Sequence, residues 1–419
     1  MAASTFTWIF LAALAAATAT RLWLARRQLR HVREHRDKVP DMFVAVVPLA
    51  AHQKAADYGA AKAPLAIIDL LIGVAALLAL TLGGALDWIA LRWAWAFAPG
   101  SYAHGVALVM TVVVVLSALD LPLAVYRTFV IEARFGFNRM TPALFVADLA
   151  RQALIASVLG VPLLLLVLWL MERMGDLWWL YVWLAWMAFN LLVLMIYPTF
   201  IAPLFNKFTP LADPQLAARI ERLLERCGFR AQGLYVMDGS RRSSHGNAYF
   251  TGLGGAKRIV LFDTLLSRLA PAEVEAVLAH ELGHFKRHHV WKRVSLLFAA
   301  SLGMLWALGR MMGEAWFYAG LNVQSRGTAV ALLLFFLVIP VFTFFLLPIT
   351  SMYSRRHEFE ADAYAACNAN SADLANALVK LYQDNAATLT PDPLHSAFYD
   401  SHPPAAMRIA RLQSLPAAG

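Results

Sequence analysis

Residues 271–312 read PAEVEAVLAHELGHFKRHHVWKRVSLLFAASLGMLWALGRMM, and this stretch decides the fold. It opens on Pro271 and Glu273, residue types that start helices, and continues with Val274, Val277, Leu278 and Leu282 at helical spacing. Inside that helix lies His280-Glu281-Leu282-Gly283-His284. Histidines at i and i+4 stand one above the other on a helix face, so both imidazoles reach one ion, and Glu281 sits close enough to handle the attacking water. Shortly afterwards, from 294 to 312, the chain turns apolar over a length suited to a bilayer. A water-facing metal helix that feeds directly into lipid implies a membrane protein with a hydrolytic region on one side.

The composition agrees. Of 419 residues 60% are hydrophobic and 15% charged, against about 25% charged in a soluble domain. Disorder, a disulfide scaffold and a collagen-like fibre are excluded. The formal net charge of +9 is carried by basic residues crowded beside apolar runs. Anionic lipid and topology account for them, and nucleic acid is not needed as a partner. Cys227 and Cys367 are too few and too far apart for a disulfide framework or a thiolate metal cage.

Seven stretches are long and apolar enough to span: 4–24, 65–86, 105–125, 153–171, 177–197, 294–312 and 328–349. Arg26, Arg27, Arg30, Arg33, Arg36 and Lys38 follow the first span and Arg127, Arg134 and Arg139 the third, whereas the alternate loops hold little beyond Arg92, Arg173 and Arg326. Positive-inside counting therefore places the N-terminus outside and both large polar regions in the cytosol. Trp88, Trp93 and Trp95 are expected at the outer interface, on a short helix lying along the membrane. Asp69 and Asp120 fall within spans and must face protein or trapped water. A partner on a neighbouring helix or water near the interface is the simpler reading, and a polar cavity in the bundle is the other.

In the first polar region, 214–227 has helical periodicity, and strands are expected at 233–237, 247–251 and 258–262, with Gly252, Gly254 and Gly255 turning the last pair. A hydrolytic metal site needs a third protein ligand and one open position. The closing spans form a hairpin that returns the chain to the side of the His helix, at Arg355-Arg356-His357-Glu358-Phe359-Glu360-Ala361-Asp362. Glu358 and Asp362 share a face while Glu360 points elsewhere. Spacing favours Glu358 as third ligand but leaves His357 open, and Asp362 is placed to orient a ligand histidine through its second nitrogen.

These motifs join four further blocks: 129–132 (FVIE) with 135–138 (FGFN), 197–208 (YPTFIAPLFNKF), 242–250 (RSSHGNAYF), and 401–404 (SHPP) with Arg408. Together they resemble the type I CAAX prenyl proteases, integral membrane zinc metalloendopeptidases of the gluzincin kind. The resemblance implies one Zn²⁺ per chain on His280, His284 and Glu358, with Glu281 as catalytic acid/base. It implies an edge strand carrying Asn247 and Tyr249 that takes an extended substrate by β-augmentation, with His402 and Arg408 near the active site. His402 is the candidate donor to the oxyanion, or else only a cap on the helix begun by Pro403, and Arg408 is a candidate substrate contact. A water-filled chamber enclosed by seven helices is implied as well.

The expected fold is thus mainly α, a polytopic membrane protein with seven transmembrane helices and a cytosolic zinc metallopeptidase domain containing a small β-sheet. Its parts are 1–197 (membrane bundle), 198–293 (metallopeptidase, first part), 294–349 (hairpin) and 350–419 (metallopeptidase, second part). The expected function is zinc-dependent endoproteolysis of peptides or proteins reaching it from the cytosol or the lipid bilayer. General membrane-protein quality control is a second reading, which favours a shorter chain with about four spans. A non-catalytic channel or scaffold is a third, at odds with the intact ligand set. The Ala-rich composition suggests a bacterial inner membrane, where prenylated substrates are not expected; the oligomeric state is not set by sequence.

Overall fold

The computed structural model describes residues 1–231, 233–251 and 258–414. Long apolar helices build the first half: α1 (Ala3–Glu34), α2 (Leu49–Leu80), a short α3 (Ala85–Trp93), α4 (Tyr102–Tyr126), α5 (Pro142–Arg173) and α6 (Trp178–Ile196). Local chemistry sets their starts. Ser101 accepts the His104 N–H at the head of α4, and Thr141 accepts the Leu144 N–H ahead of Pro142 on α5. Among the described residues seven helical stretches are long and apolar enough to cross a membrane, the number expected.

Their ends differ from the expected spans, because hydropathy marks where lipid stops and not where a helix stops. Ala-rich, charged sequence keeps helical propensity in water, so α1 runs on to Glu34 and α2 begins at Leu49. Conversely α2 stops at Leu80, before 86, where Gly84 takes φ 73°. The short helix α3 is present. Trp88 and Trp95 are exposed on and after it, whereas Trp93 turns inward and donates to Thr111 Oγ1 at 2.9 Å.

The polar region adds β1 (Phe208–Pro210), α7 (Pro214–Arg226), β2 (Gly233–Met237), β3 (Ala248–Thr251), β4 (Arg258–Phe262), α8 (Asp263–Leu266) and α9 (Pro271–Lys286). Among the described residues the strands form one sheet in the order β1-β2-β4-β3, with β2 parallel to β4 and both outer strands antiparallel. Strand β1 escaped the sequence reading because three residues ending in proline show no alternation. The expected turn at Gly252, Gly254 and Gly255 lies outside the described residues. The core packs Ile220 and Leu223 of α7, Ile259 and Leu261 of β4, and Leu278 and Leu282 of α9.

The chain then enters the hairpin through α10 (His289–Met311), α11 (Ala315–Ala319) and α12 (Thr328–Thr343), and leaves it as α13 (Leu347–Asn368), α14 (Ser371–Asp384), α15 (Pro393–Tyr399) and α16 (Ala405–Ser414). Asp87 accepts the backbone N–H groups of Gln324 and Ser325, which docks the hairpin turn on α3. Only Arg287 and His288, the latter at φ 57°, separate α9 from α10. One short 3₁₀ turn, Phe344–Leu346, joins α12 to α13. Two two-oxygen ion pairs tie the polar region to the bundle: Arg27 of α1 to Asp392, and Arg242 to Asp148 of α5.

Helices α9 and α13 cross where Gly283 faces Ala361. A Cβ on Gly283 would stand 2.9 Å from the Ala361 Cα and 3.0 Å from its carbonyl oxygen, so the two backbones approach as closely as a missing side chain allows. Gly283→Val should therefore lower the unfolding temperature in detergent, with an overpacking cost of about 1–3 kcal/mol. Gly303→Ala, where a Cβ meets nothing within 4 Å, should leave it unchanged or raise it slightly; equal losses from the two would remove the close crossing as the cause.

Candidate metal centre

The crossing of α9 and α13 puts three donors at one point. His280 Nε2 lies 3.2 Å from His284 Nε2, and the Glu358 carboxylate is 3.5 Å from the first and 3.3 Å from the second. All three ligand atoms fall within 4.8 Å of one another, two imidazoles and a carboxylate in the donor set of a hydrolytic zinc site with one position open. Glu358, 2% exposed, converges with the histidines. His357 does not: its ring stacks on His289 at 4.0 Å and 9°, which closes the alternative left by the spacing.

The rings are held from behind. His280 Nδ1 is 2.8 Å from Asp362 Oδ1, and the buried Arg408 guanidinium donates to both oxygens of that carboxylate, at 2.9 and 2.6 Å. An Nδ1–H donated to Asp362 leaves the Nε2 lone pair for a metal. Burial disfavours charge on the His280 ring, but Asp362 and Glu358 outweigh it and hold its pKa up at about 9; a divalent cation competes with that proton for Nε2. The start of α9 is pinned by Glu273, whose carboxylate accepts the Ala270 N–H and pairs with Lys380. Glu275 of the same helix pairs with Arg219 and Arg226 of α7.

Residues 28–207 match the family described as CAAX prenyl protease N-terminal, five membrane helices, and residues 210–415 match Peptidase family M48. The chain belongs to the CAAX prenyl protease family of M48 metallopeptidases. It is 40% identical to the CAAX prenyl protease 1 homolog of Dictyostelium discoideum over 68% of this chain and 67% of that one. It is 37% identical to CAAX prenyl protease 1 of Saccharomyces cerevisiae, over 70% and 68% respectively. The crystal structure of S. mikatae Ste24p superposes with a TM-score of 0.91 at 30% identity, covering 97% of this chain and 99% of that one. The protein is a multi-pass integral membrane metalloendopeptidase.

The remaining expected site residues of this protease divide into two groups. His402 is 62% exposed and its Nδ1 is 2.7 Å from Glu358 Oε2, so it touches a ligand carboxylate from the solvent side. Asn247 immediately precedes β3 and Tyr249 lies on it, where Tyr249 packs edge-on against Phe262 and burial raises its hydroxyl pKa to about 12. Arg408 needs correction. Expected to contact substrate, it is 5% exposed and committed to Asp362, with a further approach of 3.7 Å to Glu358.

Sequence reading missed two residues behind the centre. His289 Nδ1 lies 2.9 Å from His284 Nδ1, and its Nε2 lies 3.0 Å from Glu360 Oε2. A histidine just past the His280–His284 motif was the available signal, but the break at His288 hides the geometry. Asp69 and Asp120 are both exposed. Both line a cavity of about 430 Å³ between α1, α2, α4 and α12, together with Thr18 and Arg21.

Proposed function

We propose that this protease is a zinc endopeptidase whose metal is held by His280, His284 and Glu358 and whose acid/base is Glu281. The convergence of two Nε2 atoms and one buried carboxylate beside a free sheet edge carries this reading. A zinc ion bound there supplies Lewis acidity at the scissile carbonyl and lowers the pKa of an attacking water toward about 7. Glu281 takes the proton of that water and passes it to the leaving amine. His402, whose Nδ1 lies 2.7 Å from Glu358 Oε2, is the candidate donor to the oxyanion through its second nitrogen. Asp362 fixes the His280 tautomer, and Arg408 fixes Asp362.

The edge of β3 supports binding of an extended peptide. Phe262 N–H donates to Asn247 O, and antiparallel alternation then turns the N–H and C=O groups of Ala248 and Phe250 away from β4. The Ala248 N–H donates to Asn247 Oδ1 at 2.8 Å, which leaves the Ala248 C=O and the N–H and C=O of Phe250 without a strand partner among the described residues; recognition through them rests mainly on backbone, and side-chain preference is broad. Substrates are peptides or proteins from the cytosol or the membrane. The bilayer is the other partner, and the site faces the cytosol of a bacterial inner membrane with the N-terminus outside. The working parts are the bundle 1–197, the metallopeptidase parts 198–293 and 350–419, and the hairpin 294–349. The CAAX specificity in the relatives' names belongs to them; here it describes ancestry more than task.

Detergent-purified protein should hold about one zinc per chain, falling sharply in His280→Ala, His284→Ala and Glu358→Ala. Glu281→Gln should keep the zinc and lose on the order of 10²-fold or more in turnover; activity within a few-fold of the parent would remove Glu281 from its role.

Phe250→Pro, which deletes an outward backbone donor, should impair peptide cleavage much more than Phe250→Ala at matched folding and zinc content. Equal losses would indicate side-chain recognition instead.

In a background lacking Cys227 and Cys367, an impermeant thiol reagent applied to intact cells should label a cysteine at Gly100 or Gln324 but not at Thr388. The opposite pattern would place the site in the other compartment.

A further inference from the structure

We propose that His289 and Glu360 are positioning residues for the metal ligand His284: the His289 ring keeps the His284 proton on Nδ1 and so presents the Nε2 lone pair to the metal. This rests on the zinc reading above and deepens it. A histidine ligand binds through one nitrogen only if the other carries the proton, and a defined acceptor must hold that proton in place. For His280 the acceptor is Asp362. Among the described residues no carboxylate stands behind His284; its Nδ1 meets another imidazole, His289 Nδ1, at 2.9 Å.

Two imidazole nitrogens at that distance share one proton, and Glu360 decides whose it is. The Glu360 carboxylate is flanked by Arg356 at 3.2 Å and Lys292 at 3.9 Å, so it is an acceptor, and His289 Nε2 at 3.0 Å must be the donor. A neutral His289 that gives its only N–H to Glu360 has a lone pair on Nδ1. His284 Nδ1–H donates into that lone pair, and His284 Nε2 is left free toward Glu358 and His280. Reversing either bond would put a proton on His284 Nε2 and block the metal.

The intermediary is rigid. His289 is 1% exposed and lies flat on His357, with ring centroids 4.0 Å apart at 9°. It is the first residue of α10, immediately after the left-handed His288, while Glu360 lies on α13, continuous with the last span. The hydrogen-bond chain therefore runs from the entry of the hairpin to its exit and ties the orientation of His284 to the two helices that anchor the site in the membrane.

A packing role for His289 predicts something different from a positioning role, and two substitutions separate them. His289→Phe keeps a flat ring against His357 and removes both hydrogen bonds. His289→Gln gives up the ring but carries an acceptor for His284 and a donor for Glu360. Full-length protein in detergent is assayed for zinc affinity by chelator competition, for the visible absorption of its Co²⁺ form, and for thermal unfolding. His289→Phe should weaken zinc binding about 10–100-fold, the usual cost of losing a ligand's outer partner, and shift the Co²⁺ bands. His289→Gln should stay within a few-fold of the parent even if it unfolds earlier. Glu360→Leu, at a half-exposed position, should weaken zinc in the same direction as His289→Phe. Parental affinity in His289→Phe or in Glu360→Leu would overturn the proposal, as would a Gln variant that loses as much zinc as the Phe variant. A parent protein without zinc would instead overturn the metal reading on which it rests.

Discussion

The crossing of α9 and α13 at Gly283 and Ala361 is the contact on which the site depends. With backbone atoms nearly touching, one turn of α9 presents His280 and His284 to the turn of α13 that carries Glu358 and Asp362. A larger residue at Gly283 would push the helices apart by roughly the size of a methyl group, and a metal site has little tolerance for that displacement. The same closeness buries the Glu358 and Asp362 carboxylates almost completely. Buried charge is costly unless paired, and the neighbours supply the pairing: Arg408 for Asp362, and the imidazoles for Glu358. The same three side chains form a group that could hold a metal ion, and the close crossing is what brings them together.

The membrane and the chemistry share helices. Helix α9 passes into α10 through two residues, the second of them the left-handed His288, and α12 passes into α13 through one short 3₁₀ turn. The ligand-bearing segments are extensions of the hairpin and not separate loops laid over it. Arg27–Asp392 and Arg242–Asp148 add two charged ties between the polar region and helices α1 and α5, and both acidic partners are nearly fully buried. A scaffold of this kind holds side chains within the fraction of an ångström that metal coordination needs, and β3, an outer strand of the sheet among the described residues, packs beside α9. On the bilayer side, Asp69 and Asp120 lie at one cavity with Thr18 and Arg21, polar company for carboxylates placed inside spans.

Much of this was legible in the chain itself. Seven apolar runs gave seven spanning helices because lipid imposes a length and a composition that few other environments demand. The strands at 233–237 and 258–262 were legible to the residue, as was the edge strand to within one, since short β-branched and aromatic runs bounded by breakers have few alternatives. His280, Glu281 and His284 stood out because i and i+4 spacing is a property of a single helix, needing no tertiary information. Helix ends were less legible: propensity carries α1 and α2 beyond the bilayer, whereas hydropathy falls at its surface.

What depended on tertiary structure was everything joining distant segments. The sequence offered Glu358 and His357 side by side; the rotation of α13 against α9 turns the first into the centre and the second onto His289. Arg408 was expected near the active site as a substrate contact, yet α16 carries it behind His280, where it is buried with Asp362 as its partner. His289 and Glu360, at opposite ends of the hairpin, meet only because two spanning helices return the chain to its starting side. Local spacing is fixed by the covalent chain and by hydrogen bonds a few residues apart, so sequence carries it. Which side chains share a proton or an ion is fixed by helix packing, which depends on the whole set of buried contacts at once.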